Sequence, residues 1–182
     1  MKIDSNRFGT IEIDDEEALA FPNGIIGFPG EKSFILIRQS DNSPIGWLHS
    51  TKTGWLALPV VSVEALAIEC DDLTSDSTLR GLGIDPNHSI AMMVVLNPSG
   101  PIGPTVNLVA PIVVNAETRQ GAQVLIEGTE HSTQERLLLK PTKSATPQPS
   151  SVQTAPVQRT ASHGHGHASP HPRVQRAVAE AF

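Results

Sequence analysis

A chain of 182 residues has room for one ordinary domain, and its one cysteine, Cys70, excludes a disulfide framework and fits a reducing cytoplasm. Charge is split along its length: positions 1–139 carry 18 acidic and 8 basic residues, net −10, whereas 140–182 carry 5 basic residues and Glu180, net +4. An acidic body repels nucleic-acid backbones and attracts basic partners, which disfavours direct nucleic-acid binding by positions 1–139; the same charge also serves solubility.

The amino terminus, Met1 to Arg7, is polar and lacks the apolar run of a signal-peptide core. Alternation from Arg7 to Ile13 then predicts a first strand carrying Phe8, Ile11 and Ile13. Glu12-Ile13-Asp14-Asp15-Glu16-Glu17 is the densest carboxylate cluster. A calcium loop would need a glycine at the turn and a spaced glutamate, so this run reads as a solvated acidic loop or as a patch for a basic partner. In Phe21 to Gly30, the glycines Gly24, Gly27 and Gly30 permit two sharp turns that Phe21, Ile25, Ile26 and Phe28 would anchor in a core.

Further along, Phe34 to Ile37 is a continuous apolar run and Trp55 to Leu66 a longer one interrupted by Pro59. Glu64, Glu69, Asp71 and Asp72 form a second acidic group that begins within or beside a strand, which favours an interaction edge. Asp76 is the expected cap of one short helix from Ser77 to about Leu82, burying Leu79 and Leu82 and stopping at Gly83. Ser89 to Leu96, Val106 to Val114 and Gln123 to Ile126 supply the remaining strands. Four prolines between Ser89 and Glu117 rule out one membrane-spanning helix in the longest nearly uncharged stretch, so no membrane partner is expected. Continuous apolar runs imply strands covered on both faces, and the fold class expected is mainly β, a small antiparallel β-barrel-like domain with one short helix.

Beyond Leu139 the composition changes to Pro, Ser, Thr, Gln and His, which cannot repay the entropy of ordering. The expected organisation is therefore a β domain over 1–139 and a disordered tail over 140–182. Arg173 to Phe182 keeps a faint helical pattern, with Val174, Ala177, Val178 and Ala181 on one side, too short to be stable alone. His163, His165 and His167 have an alternation that binds transition metals weakly, and nothing else in the chain calls for a cofactor.

Phosphate loops, dinucleotide fingerprints and serine elbows are absent from the sequence. His49, His88 and His131 fall in separate predicted segments, and His49 and Ser50, as strand neighbours, point to opposite faces, so no base is expected beside a nucleophile. Two segments are distinctive: Phe21-Pro22-Asn23-Gly24-Ile25-Ile26-Gly27-Phe28-Pro29-Gly30 with Ser33-Phe34-Ile35-Leu36, and Val106-Asn107-Leu108-Val109-Ala110-Pro111-Ile112-Val113-Val114-Asn115 with Arg119-Gln120-Gly121-Ala122-Gln123-Val124. With Trp47-Leu48-His49-Ser50 between them, in this order and spacing, the chain resembles the FliW family over residues 3 to about 128. It departs from the family in Val61 to Leu73, where an aspartate-proline pair and a tyrosine are usual and Ser62-Val63-Glu64 stands instead.

The resemblance implies a cytoplasmic, non-enzymatic flagellar assembly factor with two protein partners. One is the basic RNA-binding repressor CsrA, antagonised allosterically; the other is flagellin, which competes for the protein and so couples its own translation to export. The repressor-facing residues expected from charge clustering are Glu64, Glu69, Asp71 and Asp72, with Asp14 to Glu17 second. The alternative is a chaperone that shields an apolar helix of flagellin with no role in translation.

Overall fold

A computed structural model describes residues 1–40, 42–68, 73, 75–100 and 103–141. Among the described residues, eleven strands form two antiparallel systems. Lys2–Ser5 (β1) and Gly9–Glu12 (β2) make a separate hairpin in which Ile3 faces Ile11. The larger sheet contains Leu19–Ala20 (β3), Ser33–Arg38 (β4), Ile45–Ser50 (β5), Ala57–Ser62 (β6), Ile90–Asn97 (β7), Thr105–Val106 (β8), Ile112–Asn115 (β9), Gly121–Gln123 (β10) and Glu135–Arg136 (β11). Its main path runs β10-β9-β7-β6-β5-β4-β3, with β8 joining the far end of β7 and β11 pairing with β8. The path curls until its ends meet at one parallel bridge between Ala20 and Gln120, where the Ala20 amide donates to the Arg119 carbonyl at 2.8 Å. One bridge is not a ladder, so the sheet is barrel-like and not closed.

Both faces of this sheet are covered. Phe34, Leu36, Leu48, Val60, Met93, Ile112 and Val114 point into a common core with Leu19, Phe21 and Ile25. The alternate residues of the same strands meet three separate covers. Ile35 and Ile37 lie under the β1-β2 hairpin with Ile3, Ile11 and Ile13. Val61 and Val94 pack with Leu66, Leu73, Val106 and Leu108. Val113 packs with Leu79 and Ile84 of the helical segment. This is why the apolar runs are continuous where a one-sided sheet would alternate.

Several local expectations need correction. Phe8 lies in the turn between β1 and β2, and a strand precedes the one expected at Arg7 to Ile13. The run Val106 to Val114 is two strands, because the Asn107 side chain accepts from the amides of Val109 and Ala110 and bends the chain out of the ladder. Asn115 does the same for Glu117 and Thr118 at the end of β9. The last expected strand begins earlier, at Gly121, although Val124 and Ile126 still donate to the carbonyls of Pro111 and Val109. The helix (α1) is Asp76–Gly81 and its cap is Ser75, whose hydroxyl accepts from the Thr78 amide at 3.2 Å; Leu79 is buried and Leu82 half-buried. Pro59 is accommodated where β6 pairs with Trp47 on one side and its ladder to β7 covers only Val60 to Ser62. The tail expected over 140–182 lies outside the described residues from position 142 onward.

The seam of the sheet depends on one close approach. Phe21 is fully buried and meets Phe34 edge to face at 5.2 Å between centroids. A Cβ at Gly121 would stand 2.5 Å from the Phe21 ring. Gly121→Ala should therefore lower stability by about 1–3 kcal/mol through overpacking of the core, read as a reduced urea midpoint with an unchanged slope. An unchanged midpoint would show that the ring has room to move.

Candidate protein-binding surface

The acidic residues singled out from the sequence occupy two unlike places. Asp14 flanks a 3-10 turn, Asp15–Glu17, that leads into β3. Asp14, Asp15 and Glu16 are exposed, and Asp15 accepts from the Met1 amino group at 2.9 Å. Glu17 is half-buried, and its Oε2 has no hydrogen-bond partner. Glu64 is exposed in a second 3-10 turn, Val63–Ala65, directly after β6. Its carbonyl accepts from Lys140 Nζ at 2.9 Å, and the Lys140 amide donates to Ala65, so the chain leaves the sheet beside Glu64. Glu69, Asp71 and Asp72 lie outside the described residues, as do His163, His165 and His167. Since β6 and β3 are three steps apart in the sheet, the two acidic turns belong to different parts of the surface.

A second surface is apolar, and the glycine-rich segment builds it. Ile25 and Phe28 bridge each other across a tight turn with Gly24 at φ +71° and Gly27 at φ +88°. A side chain at position 24 would meet the Phe28 carbonyl oxygen at 2.5 Å. Ile25 is buried, but Ile26, expected to anchor the turn inward, is 58% exposed because it stands at the tip. Gln123 on β10 fixes that tip: its Oε1 accepts from the Ile26 amide at 2.9 Å while its Nε2 donates to the Ala110 carbonyl at 3.0 Å. Phe28 is half-buried against the core, and its free side meets Trp55 edge to face at 6.0 Å, with Trp55 64% exposed.

One carboxylate holds these two loops together. Glu31 accepts from the Thr53 hydroxyl at 2.5 Å and from the Ser50 hydroxyl at 2.7 Å. Ser50 Oγ in turn accepts from the amides of Lys52 and Thr53, which folds residues 50–53 into a turn just before Trp55. Those bonds, Thr53 first and Ser50 second, hold the Glu31 carboxyl below its ordinary value of 4.5. Composition and periodicity pointed to the glycine turn but not to Glu31 or Trp55, since their pairing joins segments far apart in the chain.

His49 and His88 are each held by named partners. His49 is fully buried; its Nδ1 donates to the Ser50 carbonyl at 2.6 Å, an acceptor only, so its Nε2 accepts from the Ser5 hydroxyl at 2.8 Å. A serine beside an imidazole was not expected, because Ser5 and His49 are 44 positions apart. Ser5 Oγ already accepts from the amides of Arg7 and Phe8, and both residues are covered by the hairpin, so the pair fastens β1 to β5. His88 lies 3.4 Å from Glu117 and 2.9 Å from Asn115. Among the described residues, no group of three or more His, Cys, Asp or Glu side chains is arranged to hold a metal ion, and no helix is long and apolar enough to cross a membrane.

The family model described as FliW protein matches residues 2–137. The chain belongs to the FliW family. It is 34% identical over 149 residues to the flagellar assembly factor FliW of Desulfitobacterium hafniense, covering 81% of this chain and 98% of that protein. To the flagellar assembly factor FliW of Thermotoga neapolitana it is 34% identical over 129 residues, 70% of this chain and 87% of that one. A crystal structure of the flagellar assembly factor FliW superposes with a TM-score of 0.63 at 32% identity, covering 79% of this chain and all of that one. The chain is thus a flagellar assembly factor of the FliW type, and both surfaces described above fall within the matched residues.

Removing the charge of Glu31 tests how firmly the apolar surface is built. A carboxyl whose folded value is lowered contributes stability that is complete above the unfolded value near 4.5 and is lost as pH falls through the folded value. Glu31→Gln should cost about 1 kcal/mol at pH 7, less than is usual for hydrogen bonds to a charged group because the carboxylate is part-exposed and solvent-screened. The gap between wild-type and variant urea midpoints should shrink as pH drops below 4.5. A gap that stays constant with pH would exclude the charged clamp.

Proposed function

We propose that this FliW protein binds two protein partners, a basic CsrA-type RNA-binding repressor that it antagonises allosterically and flagellin, and thereby couples flagellin translation to flagellin export. The single observation that carries the repressor half is the charge distribution: a net charge of −10 over positions 1–139, with Asp14, Asp15, Glu16 and Glu64 exposed on two turns. Such a body is steered toward a basic partner and competes poorly for that partner's RNA, so an effect on RNA binding works through the repressor and not through the message. The proposed contact residues are Glu64 with Glu69, Asp71 and Asp72 first, and Asp14 to Glu17 second. Departure from the family pattern in Val61 to Leu73 falls on the first of these groups, which makes that turn the place where partner preference would differ among relatives.

Flagellin is the partner suited to the apolar surface. Trp55 is exposed against the half-buried Phe28, with Ile26 exposed at the tip of the same glycine-rich turn, and an apolar helix of an unassembled subunit would gain by covering them. This same observation supports the second reading, in which the protein shields flagellin as a chaperone and leaves translation alone.

Isothermal titration of the full chain against the CsrA and flagellin of the same bacterium, at low and moderate salt, separates the readings. Charge reversal at Asp14, Glu16 and Glu64 together is expected to weaken repressor binding by about tenfold and flatten its salt dependence, with flagellin binding retained. Unchanged repressor affinity in the variant would remove these residues from the interface. Binding of the wild type to flagellin alone would establish the chaperone reading.

A further inference from the structure

The turn of the β1-β2 hairpin seats the loop that presents Trp55. We propose that the hairpin is a brace for this tryptophan, with Gly54 as the positioning residue that sets the loop on it, so that Trp55 meets an apolar partner in one fixed place. The partner half of this inference rests on the flagellin reading above; the brace itself does not.

One hydrogen bond and one close approach define the seat. The Asn6 amide donates to the Gly54 carbonyl at 2.9 Å, and a Cβ at position 54 would run into the Asp4 carbonyl oxygen. Unlike Gly24 and Gly27, Gly54 does not take a positive φ, so what calls for glycine there is space and not backbone conformation. The hairpin can act as a brace because its turn is itself tied to β5. Ser5 donates to His49 at 2.8 Å, and the Arg7 guanidinium lies 3.7 Å from the centre of the Trp47 ring. Beside these ties, Ile3, Ile11 and Ile13 pack on Ile35 and Ile37.

The loop needs this second support. Glu31 and Ser50 fix residues 50–53, and the amide of the buried Leu56 donates to the Thr53 carbonyl at 2.9 Å. Gly54 and Trp55 stand between those anchors, and the Trp55 ring is largely in solvent with Phe28 as its aromatic neighbour. A glycine beside an exposed side chain leaves that side chain free to swing, because glycine is the most permissive residue of the backbone. Seating Gly54 on the hairpin removes this freedom. Tryptophan is among the side chains most enriched at the energetic centres of interfaces, and one held in place beforehand loses less entropy on binding.

Fluorescence anisotropy of the full chain, paired with titration of flagellin from the same bacterium, tests the proposal. Trp47→Phe leaves Trp55 as the one tryptophan and keeps an aromatic ring for Arg7 to stack on. In that background Gly54→Ala should lower the native-state anisotropy of Trp55 and weaken flagellin binding by about three- to tenfold, the cost of ordering a freed aromatic side chain. Arg7→Ala removes the stack on Trp47 and leaves Gly54 in place; it should act in the same direction through the hairpin turn alone. Arg7 is exposed, so this variant reads the brace even if Gly54→Ala does not fold. Ser75→Ala, which removes the cap of α1, controls for lost stability and should change neither anisotropy nor flagellin affinity. Unchanged anisotropy in Gly54→Ala and Arg7→Ala would overturn the brace. Lowered anisotropy with flagellin affinity intact would overturn the positioning role. Anisotropy needs no partner, so lowered anisotropy in both variants with no flagellin binding by the wild type would uphold the brace and remove the partner reading.

Discussion

The contact between Phe21 and Gly121 is the constraint on which the rest of the fold depends. A curled sheet whose end strands are short has few hydrogen bonds with which to hold its seam: β3 has two residues, β10 has three, and one bridge joins Ala20 to Gln120. What holds the ends together is therefore packing. The Phe21 ring fills the inner core directly over the glycine of β10, and a methyl group at position 121 would occupy the volume the ring needs. Arg119, just before, takes φ 57°, an uncommon conformation for a side-chain-bearing residue, and so turns the chain back toward β9 while its carbonyl receives the Ala20 amide. The seam, the β9-β10 turn and the start of the glycine-rich segment are thus one construction.

That construction explains how much of the fold was legible in the sequence. Continuous apolar runs such as Phe34 to Ile37 gave away a sheet buried on both faces, because alternation disappears when hairpin, helix and loop each cover part of the outer surface. Short strands escaped for the opposite reason. Leu19–Ala20, Thr105–Val106 and Glu135–Arg136 are too brief to show a period, and their pairing is set by long-range partners. The helix cap was misplaced by one position because Ser75 and Asp76 are both good caps, and only the geometry of the preceding chain chooses between them.

Legibility of the site followed the same division. Clusters of like charge are contiguous in sequence, so Asp14 to Glu17 could be marked without a structure, and Glu64 likewise. The apolar surface is not contiguous: its two loops are joined by Glu31 reaching Ser50 and Thr53, and a lone glutamate between turn residues carries no local signal. The segment Phe21 to Gly30 was conspicuous for its glycines, but which of its apolar residues face outward depends on the left-handed conformations at Gly24 and Gly27. Ile25 turns in and Ile26 turns out because the turn between them and Phe28 is so tight.

Two surfaces of opposite character impose different physics on any exchange of partners. Contacts made by exposed carboxylates act over about 10 Å and fade as salt rises, whereas burial of Ile26 and Trp55 is short-ranged and nearly indifferent to salt. A basic repressor and an apolar helix therefore need not share a footprint. If they exclude one another without overlapping, the coupling has to pass through an element with two arrangements, and it must be reciprocal: whatever factor one partner takes from the affinity of the other, it loses itself. The turn at residues 50–53 links the apolar surface to the sheet: hydroxyls on a single part-exposed carboxylate hold one side, and the other continues into β5, buried against both the core and the hairpin. β5 is the strand next to β6, from which the Glu64 turn emerges, so one pair of strands lies between the two surfaces.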